Sequence, residues 1–220
     1  MPTRRALAAS RSIASRTIVA SLTPAERACL RRLATPEKLQ RFLDDLAYNT
    51  EPGGVTCRSP RRVLRDRVAH CMEGALLGAA ALLVQGQPPL VLDLEAERDS
   101  DHVIVLYRRH GCWGAVAKSD FSGLRFRAPV YATLRELALS YYENYFNLRG
   151  ERTLRRYSRP VNLHRFDQTD WLTAERPVWE IPTYLLQIPH RELLPRAAAK
   201  RFTRVDRRTF AAGRLGGVGH

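Results

Sequence analysis

The 220-residue sequence predicts an α+β fold, and three observations predict it. Proline-marked helix starts recur through the first third of the chain. A helix-length run from Cys71 to Gln85 is apolar on almost every face, which a helix tolerates only when it is buried. Short runs rich in valine, isoleucine and leucine follow it, two of them close enough to form a hairpin. The length suits one domain with a helical extension and a tail. The expected division is a basic flexible segment over 1–22, a single domain over 23–200 with its core at about 55–147, and a basic flexible tail over 201–220.

Taken in order, Thr23-Pro24-Ala25-Glu26 is a capping box with proline at the first helical position. Thr35-Pro36 opens the next helix, and its Leu39, Phe42, Leu43 and Leu46 share one face at helical spacing. Glu51-Pro52-Gly53-Gly54 is a loop. Ser59-Pro60 opens a third, short helix. The buried run from Cys71 has small residues, Gly74, Ala75, Gly78, Ala79 and Ala80, that allow close packing, and Gly86 is its stop. Strands are predicted at 90–94, 103–107 and 113–118, the last two joined by a turn near His110, with a further strand at 124–127. Tyr131 to Phe146 reads as a second long helix, with Leu134, Leu137, Ala138, Tyr141 and Tyr145 on one stripe. Five prolines break the last third into an irregular extension in which Val161–His164 reads as an edge strand.

Composition removes several classes. No run approaches the ~20 apolar residues that span a bilayer. The N-terminus has no acid before Glu26 and no apolar core of signal-peptide length, so a cytoplasmic protein with free thiols is expected. The cysteines at 29, 57, 71 and 112 form no CxxC pair, and His70-Cys71 has no matching partner pair to complete a metal site. No phosphate loop or dinucleotide fingerprint is present, so no metal or organic cofactor is implied. The net charge of +14 is nearly all arginine, and it is densest at the two ends. It leaves a second functional class open, a basic binding protein that meets nucleic acid or an acidic partner through those termini.

One constellation carries chemistry. A reactive thiol needs a lowered pKa, a base within reach and a group that orients the base. Cys71 stands at the start of the buried helix, where unsatisfied N–H groups and the helix dipole favour a thiolate. His102 begins the strand His102-Val103-Ile104-Val105-Leu106-Tyr107, after an acidic segment running from Asp93 to Asp101. A hairpin centred near His110 sets residue 102 across from about 118 or 119, so Asp120 is the candidate orienter at the end of the partner strand. Asp101 is the rival, although adjacent strand residues point to opposite faces. The bland alternative for Cys71 is a buried structural cysteine, and for Glu73 it is charge complementation of the helix dipole.

The order of a cysteine at a helix start, a strand with histidine and a hairpin strand ending in aspartate resembles the core of the transglutaminase-like superfamily, within the papain-like group. The residues that carry the resemblance are Ala69-His70-Cys71-Met72-Glu73-Gly74-Ala75, Asp101-His102-Val103 and Lys118-Ser119-Asp120. They lie in about a quarter of the chain. The resemblance implies a buried Cys-bearing helix packed on an antiparallel sheet. It implies Cys71 as nucleophile, His102 as general base and acid, and Asp120 as orienter. It further implies acyl transfer or amide hydrolysis on a peptide or other amide-containing substrate. Hydrolysis and transamidation share the first half of that chemistry, and both stay open. A catalytically inactive fold used for binding also stays open.

Overall fold

The computed structural model describes residues 18–199 and 204–217. The helices are α1 (Pro24–Arg32), α2 (Pro36–Asp44), α3 (Pro60–Asp66), α4 (Cys71–Val84), α5 (Leu134–Leu139), α6 (Glu180–Gln187), α7 (Arg196–Ala199) and α8 (Arg207–Gly213). The strands are β1 (Ala47–Tyr48), β2 (Val68–Ala69), β3 (Leu90–Ala96), β4 (His102–Arg109), β5 (Cys112–Val116), β6 (Arg127–Tyr131), β7 (Leu154–Ser158), β8 (Val161–Asn162) and β9 (His190–Glu192). This is an α+β protein with an antiparallel main sheet, ordered β6-β5-β4-β3-β7-β9, with β8 also on β3. Strands β1 and β2 form a separate parallel pair.

Local chemistry explains the helix starts. Thr23, Thr35 and Ser59 each accept a backbone N–H from the first turn, and proline follows each of them. Helix α4 is buried from Met72 to Leu83 and stops where Gly86 takes a φ of 77°. It lies flush on the sheet because two of its residues have no side chain. A Cβ at Gly74 would stand 2.4 Å from Lys118 Cβ, and one at Gly78 would stand 2.8 Å from a Val105 methyl. The β4–β5 hairpin closes on His110 and Gly111, both at positive φ (50° and 81°), as a two-residue primed turn requires.

Alternation divides the sheet between two cores. Val91, Val103, Val105 and Val116 face the layer of α1, α2 and α4. Leu92, Leu94, Ile104 and Leu106 face the opposite layer, with Tyr141, Tyr142 and Tyr145. The Cys-bearing helix is therefore sandwiched between helices and sheet, and its N-terminal end emerges at the end of β4.

Several boundaries differ from the sequence reading. The expected helix over 131–146 is only α5, because Tyr131 is still paired with Trp113 in β6 and the Ser140 hydroxyl bonds back to the Leu137 carbonyl. Residues 122–124 make a 3-10 turn, which moves the strand expected at 124–127 to Arg127–Tyr131. Only Val161–Asn162 of the expected edge strand pairs with β3, and a 3-10 turn follows. Ile18 and Leu22, assigned to the flexible N-terminal segment, are buried in the core, whereas residues 1–17 lie outside the described residues. The expected tail contains α8, whose Phe210 ring stacks 5.7 Å from Phe146 while Ser122 donates to the Ala212 carbonyl at 2.6 Å. Among the described residues no helix is long and apolar enough to cross a membrane.

Candidate active site

Cys71 is the first residue of α4, half-buried at the rim where helix and sheet meet. The thiol donates weakly to the Asp101 carbonyl at 3.8 Å, which places the sulfur at the start of β4. Burial works to raise its pKa, but hydrogen bonds from His102 and His70, reinforced by their charges, outweigh burial and bring it down to about 6. The contrast with Cys57 shows what those partners do. Cys57 is fully buried with its sulfur on the Val178 carbonyl, and burial pushes its thiol up to about 12.

The structure thus brings two of the three sequence candidates together. His102 has an even-numbered place on β4, so alternation aims its ring at the Tyr141 and Tyr145 rings, each 6.4 Å away. As the first residue of the strand it sits at the sheet's end, within reach of the sulfur that overhangs that end. Its Nε2 is 2.8 Å from the Leu124 carbonyl. A carbonyl there fixes Nε2 as the N–H donor and leaves the Nδ1 lone pair for the sulfur.

The Leu124 carbonyl orients the His102 ring, a contact that sequence reasoning did not anticipate. The β4–β5 ladder ends at the pair Val105↔Val116, and continuing it would set His102 opposite Ser119. Instead, Gln40 of α2 takes the Ala117 backbone from both sides, its amide donating to the carbonyl at 2.8 Å and accepting the N–H at 3.0 Å. That capture draws the chain off β4 before Asp120. Asp120 stays in the neighbourhood, against Gly217. Its charge and that of Cys71 act on the Tyr48 hydroxyl, which burial raises well above its ordinary value. The rival, Asp101, is engaged elsewhere: its carboxylate accepts Ala96 N–H at 2.8 Å, and burial pushes it up to about 6. On the Asp101 side a cleft of about 630 Å³ opens, lined by Glu95, Asp99, Arg156, Ile188 and His190 among others.

Sequence reasoning missed the cradle of the helix start. His70 is the N-cap of α4, its Nδ1 accepting Met72 N–H at 3.2 Å while its Nε2 lies 3.0 Å from the Thr56 carbonyl. Glu73 has no exposed surface and collects five donors: Asn49 Nδ2 (3.0 Å), Thr56 Oγ1 (2.8 Å), Arg58 N (2.9 Å), Arg58 guanidinium (3.1 Å) and His70 N (3.1 Å). It completes a capping box with His70 and ties the 49–58 loop to the helix. The spacing of His70 and Glu73 was the available signal, obscured because histidine is an uncommon cap. Among the described residues no group of three or more His, Cys, Asp and Glu side chains is arranged to hold a metal ion.

Neither a known protein family nor a curated protein matches the chain by sequence, so any functional reading rests on the geometry of Cys71, His102 and their supports.

Proposed function

We propose that the chain is a thiol-dependent acyl-transfer enzyme with a transglutaminase-like, papain-like core, acting on a peptide or other amide-containing substrate. The single observation that carries this reading is the placing of Cys71 at the first position of a buried helix, beside the His70 cap and the head of β4 where His102 stands; hydrogen bonds from the two imidazoles hold its thiol below the ordinary value. Order supports it too: the Cys-bearing helix precedes an antiparallel sheet whose β4 begins with the histidine.

In this reading the Cys71 thiolate attacks the substrate carbonyl, forming the S–C bond. The oxyanion is held by the Cys71 N–H at the start of α4, since the Met72 N–H is already taken by His70 Nδ1. The C–N bond then breaks, and the proton released by the thiol passes through an imidazole to the leaving amine. Water or a second amine enters, gives its proton to His102 and displaces the sulfur.

The test uses 4-nitrophenyl acetate and a peptide amide as substrates. The wild type should acylate with a burst, and Cys71→Ala should abolish the burst while the protein stays folded, because alanine is well tolerated in a helix's first turn. Turnover that survives in the folded Cys71→Ala protein would end the mechanism. A binding protein driven by its basic surface would instead ignore this change and lose affinity steeply with salt.

A further inference from the structure

We infer that Ser122 and Phe210 are positioning residues of the acyl-transfer site, through which helix α8 latches the turn whose Leu124 carbonyl holds the His102 ring. The inference rests on the acyl-transfer reading for its effect on turnover, whereas the hold on the ring can be read without turnover.

The turn is a short 3-10 piece, Ser122–Leu124, with the Leu124 N–H on the Phe121 carbonyl at 3.1 Å. Hydrogen bonds of this kind are poorly aligned, so such a turn leans on its surroundings. The carbonyls around it each have a donor of their own. Arg125 Nε donates to the Ser122 carbonyl at 3.3 Å, Arg127 Nη2 to the Gly123 carbonyl at 2.8 Å, and the Tyr141 hydroxyl to the Arg125 carbonyl at 3.2 Å. The Leu124 carbonyl is left facing His102 Nε2, at 2.8 Å. These supports come from the loop itself, from β6 and from Tyr141. The remaining support is α8.

Several contacts join α8 to the turn. Ser122 Oγ donates to the Ala212 carbonyl at 2.6 Å. The Phe121 ring meets Phe146 edge-on at 5.4 Å, and Phe146 lies 5.7 Å from Phe210, so the three rings form one cluster. A Cβ at Gly213 would overlap the tip of the Phe146 ring, so the helix lies flush on it. After α8 the chain passes Asp120, two residues before Ser122, where a Cβ at Gly217 would stand 2.9 Å from the Asp120 carbonyl oxygen.

Little else holds the helix. It has seven residues, of which Gly213 is the buried one. Ahead of it, Val205 N–H donates to the Gly150 carbonyl at 2.9 Å. An element with so few buried contacts opens more readily than the core. When α8 is docked, Ser122 and Phe121 are pinned and the Leu124 carbonyl stays aimed at His102. When it leaves, Ser122 loses its acceptor, Phe146 loses the Phe210 ring, and the acceptor that orients His102 is free to shift. A displacement of about 1 Å in a catalytic group costs about 10²-fold in rate, so activity tracks docking.

The test follows the His102 Nε2–H in the nitrogen-15-labelled full chain, beside acylation by 4-nitrophenyl acetate. In the wild type this proton should give a resolved signal that exchanges slowly, as a bonded N–H on a residue 4% exposed does. Phe210→Ala and Gly213→Leu should undock α8, speed that exchange about tenfold and slow acylation about tenfold with KM unchanged. Ser122→Ala should act in the same direction to a smaller degree, and Ser122→Thr, which keeps the hydroxyl, should restore both readouts. Thr23→Ala, a destabilised control that loses the α1 cap and touches none of these groups, should change neither. Wild-type exchange and acylation in both α8 variants, or equal changes in Thr23→Ala, would overturn the inference. If an α8 variant does not fold, the Ser122 pair decides. Exchange that follows docking in a protein that never acylates would keep the latch and sink only the acyl-transfer reading.

Discussion

Replacing Gly74 with alanine tests the link between helix packing and thiol chemistry. The added Cβ would stand 2.4 Å from Lys118 Cβ. Two carbons rest at about 3.5–4.0 Å, so more than about 1 Å must be absorbed. Lys118 Cβ is bound to backbone and cannot swing aside, so the helix itself must move. Overpacking of this kind costs about 1–3 kcal/mol. Removing a glycine from a helix interior returns about 0.5–1 kcal/mol. The expected net is a destabilisation of up to about 2.5 kcal/mol, centred near 1, read as a lower urea midpoint at unchanged slope. The same displacement stretches the hydrogen bonds that His102 and His70 make to Cys71, so the alkylation midpoint should rise from about 6. Gly78→Ala overlaps less deeply, with a Val105 methyl at 2.8 Å as its nearest neighbour, and should do less on both counts. A Gly74→Ala protein as stable as the wild type, with the same alkylation profile, would refute this account of how the sulfur is positioned.

Glu73→Ala should destabilise by about 3–5 kcal/mol, because it leaves the Arg58 guanidinium and several buried donors without their acceptor; a loss below 1 kcal/mol in chemical unfolding would contradict it. The Glu73 carboxyl is held below 4.5, since the His70 charge and the bonds from Arg58, Thr56 and Asn49 outweigh burial. Its stabilisation is therefore present above the unfolded value and lost as pH falls through the folded one, and Glu73→Gln should flatten the acid limb of a stability-against-pH curve. Asp120→Asn should leave the Cys71 alkylation midpoint within half a unit, because the Leu124 carbonyl holds His102; a shift of a unit or more would assign the orienting role to Asp120 instead. At pH 7 iodoacetamide should label Cys71 and spare Cys57, whose thiol is pushed up to about 12. Mass spectrometry showing both labelled at equal rates in the folded protein would contradict that ordering.

The parts of the fold legible in the sequence are those written by neighbours in the chain. Thr23-Pro24, Thr35-Pro36 and Ser59-Pro60 cap their helices through atoms two to three residues away, and the His110-Gly111 turn closes its own hairpin. The placement of Cys71 at a helix start was legible for the same reason. The Leu124 contact of His102 was not foreseen because the path of the chain after β5 depends on Gln40, 77 residues from the backbone group it captures. Strands β7 and β9 escaped notice because their sequences, Leu154-Arg155-Arg156-Tyr157-Ser158 and His190-Arg191-Glu192, are arginine-rich and carry little alternation. The arginines are matched across the sheet instead, as Arg156 is by Glu95 at 2.6 Å. Glu73 looked like a dipole partner because its donors come mostly from residues 49–58, whose approach no local pattern announces.

Because the sulfur owes its character to a strand 31 residues downstream and to a loop upstream, a nascent chain has none of it. With its thiol at the reference value of 9.0, an unfolded Cys71 is only about 1% ionised at pH 7, whereas at about 6 the native residue is roughly 90% ionised. Ordinary core cysteines are shielded by folding and unmasked by denaturation; this one is switched on by folding. Folding thus raises the share of Cys71 present as thiolate, and near neutral pH an electrophile should label the native residue faster than the unfolded one.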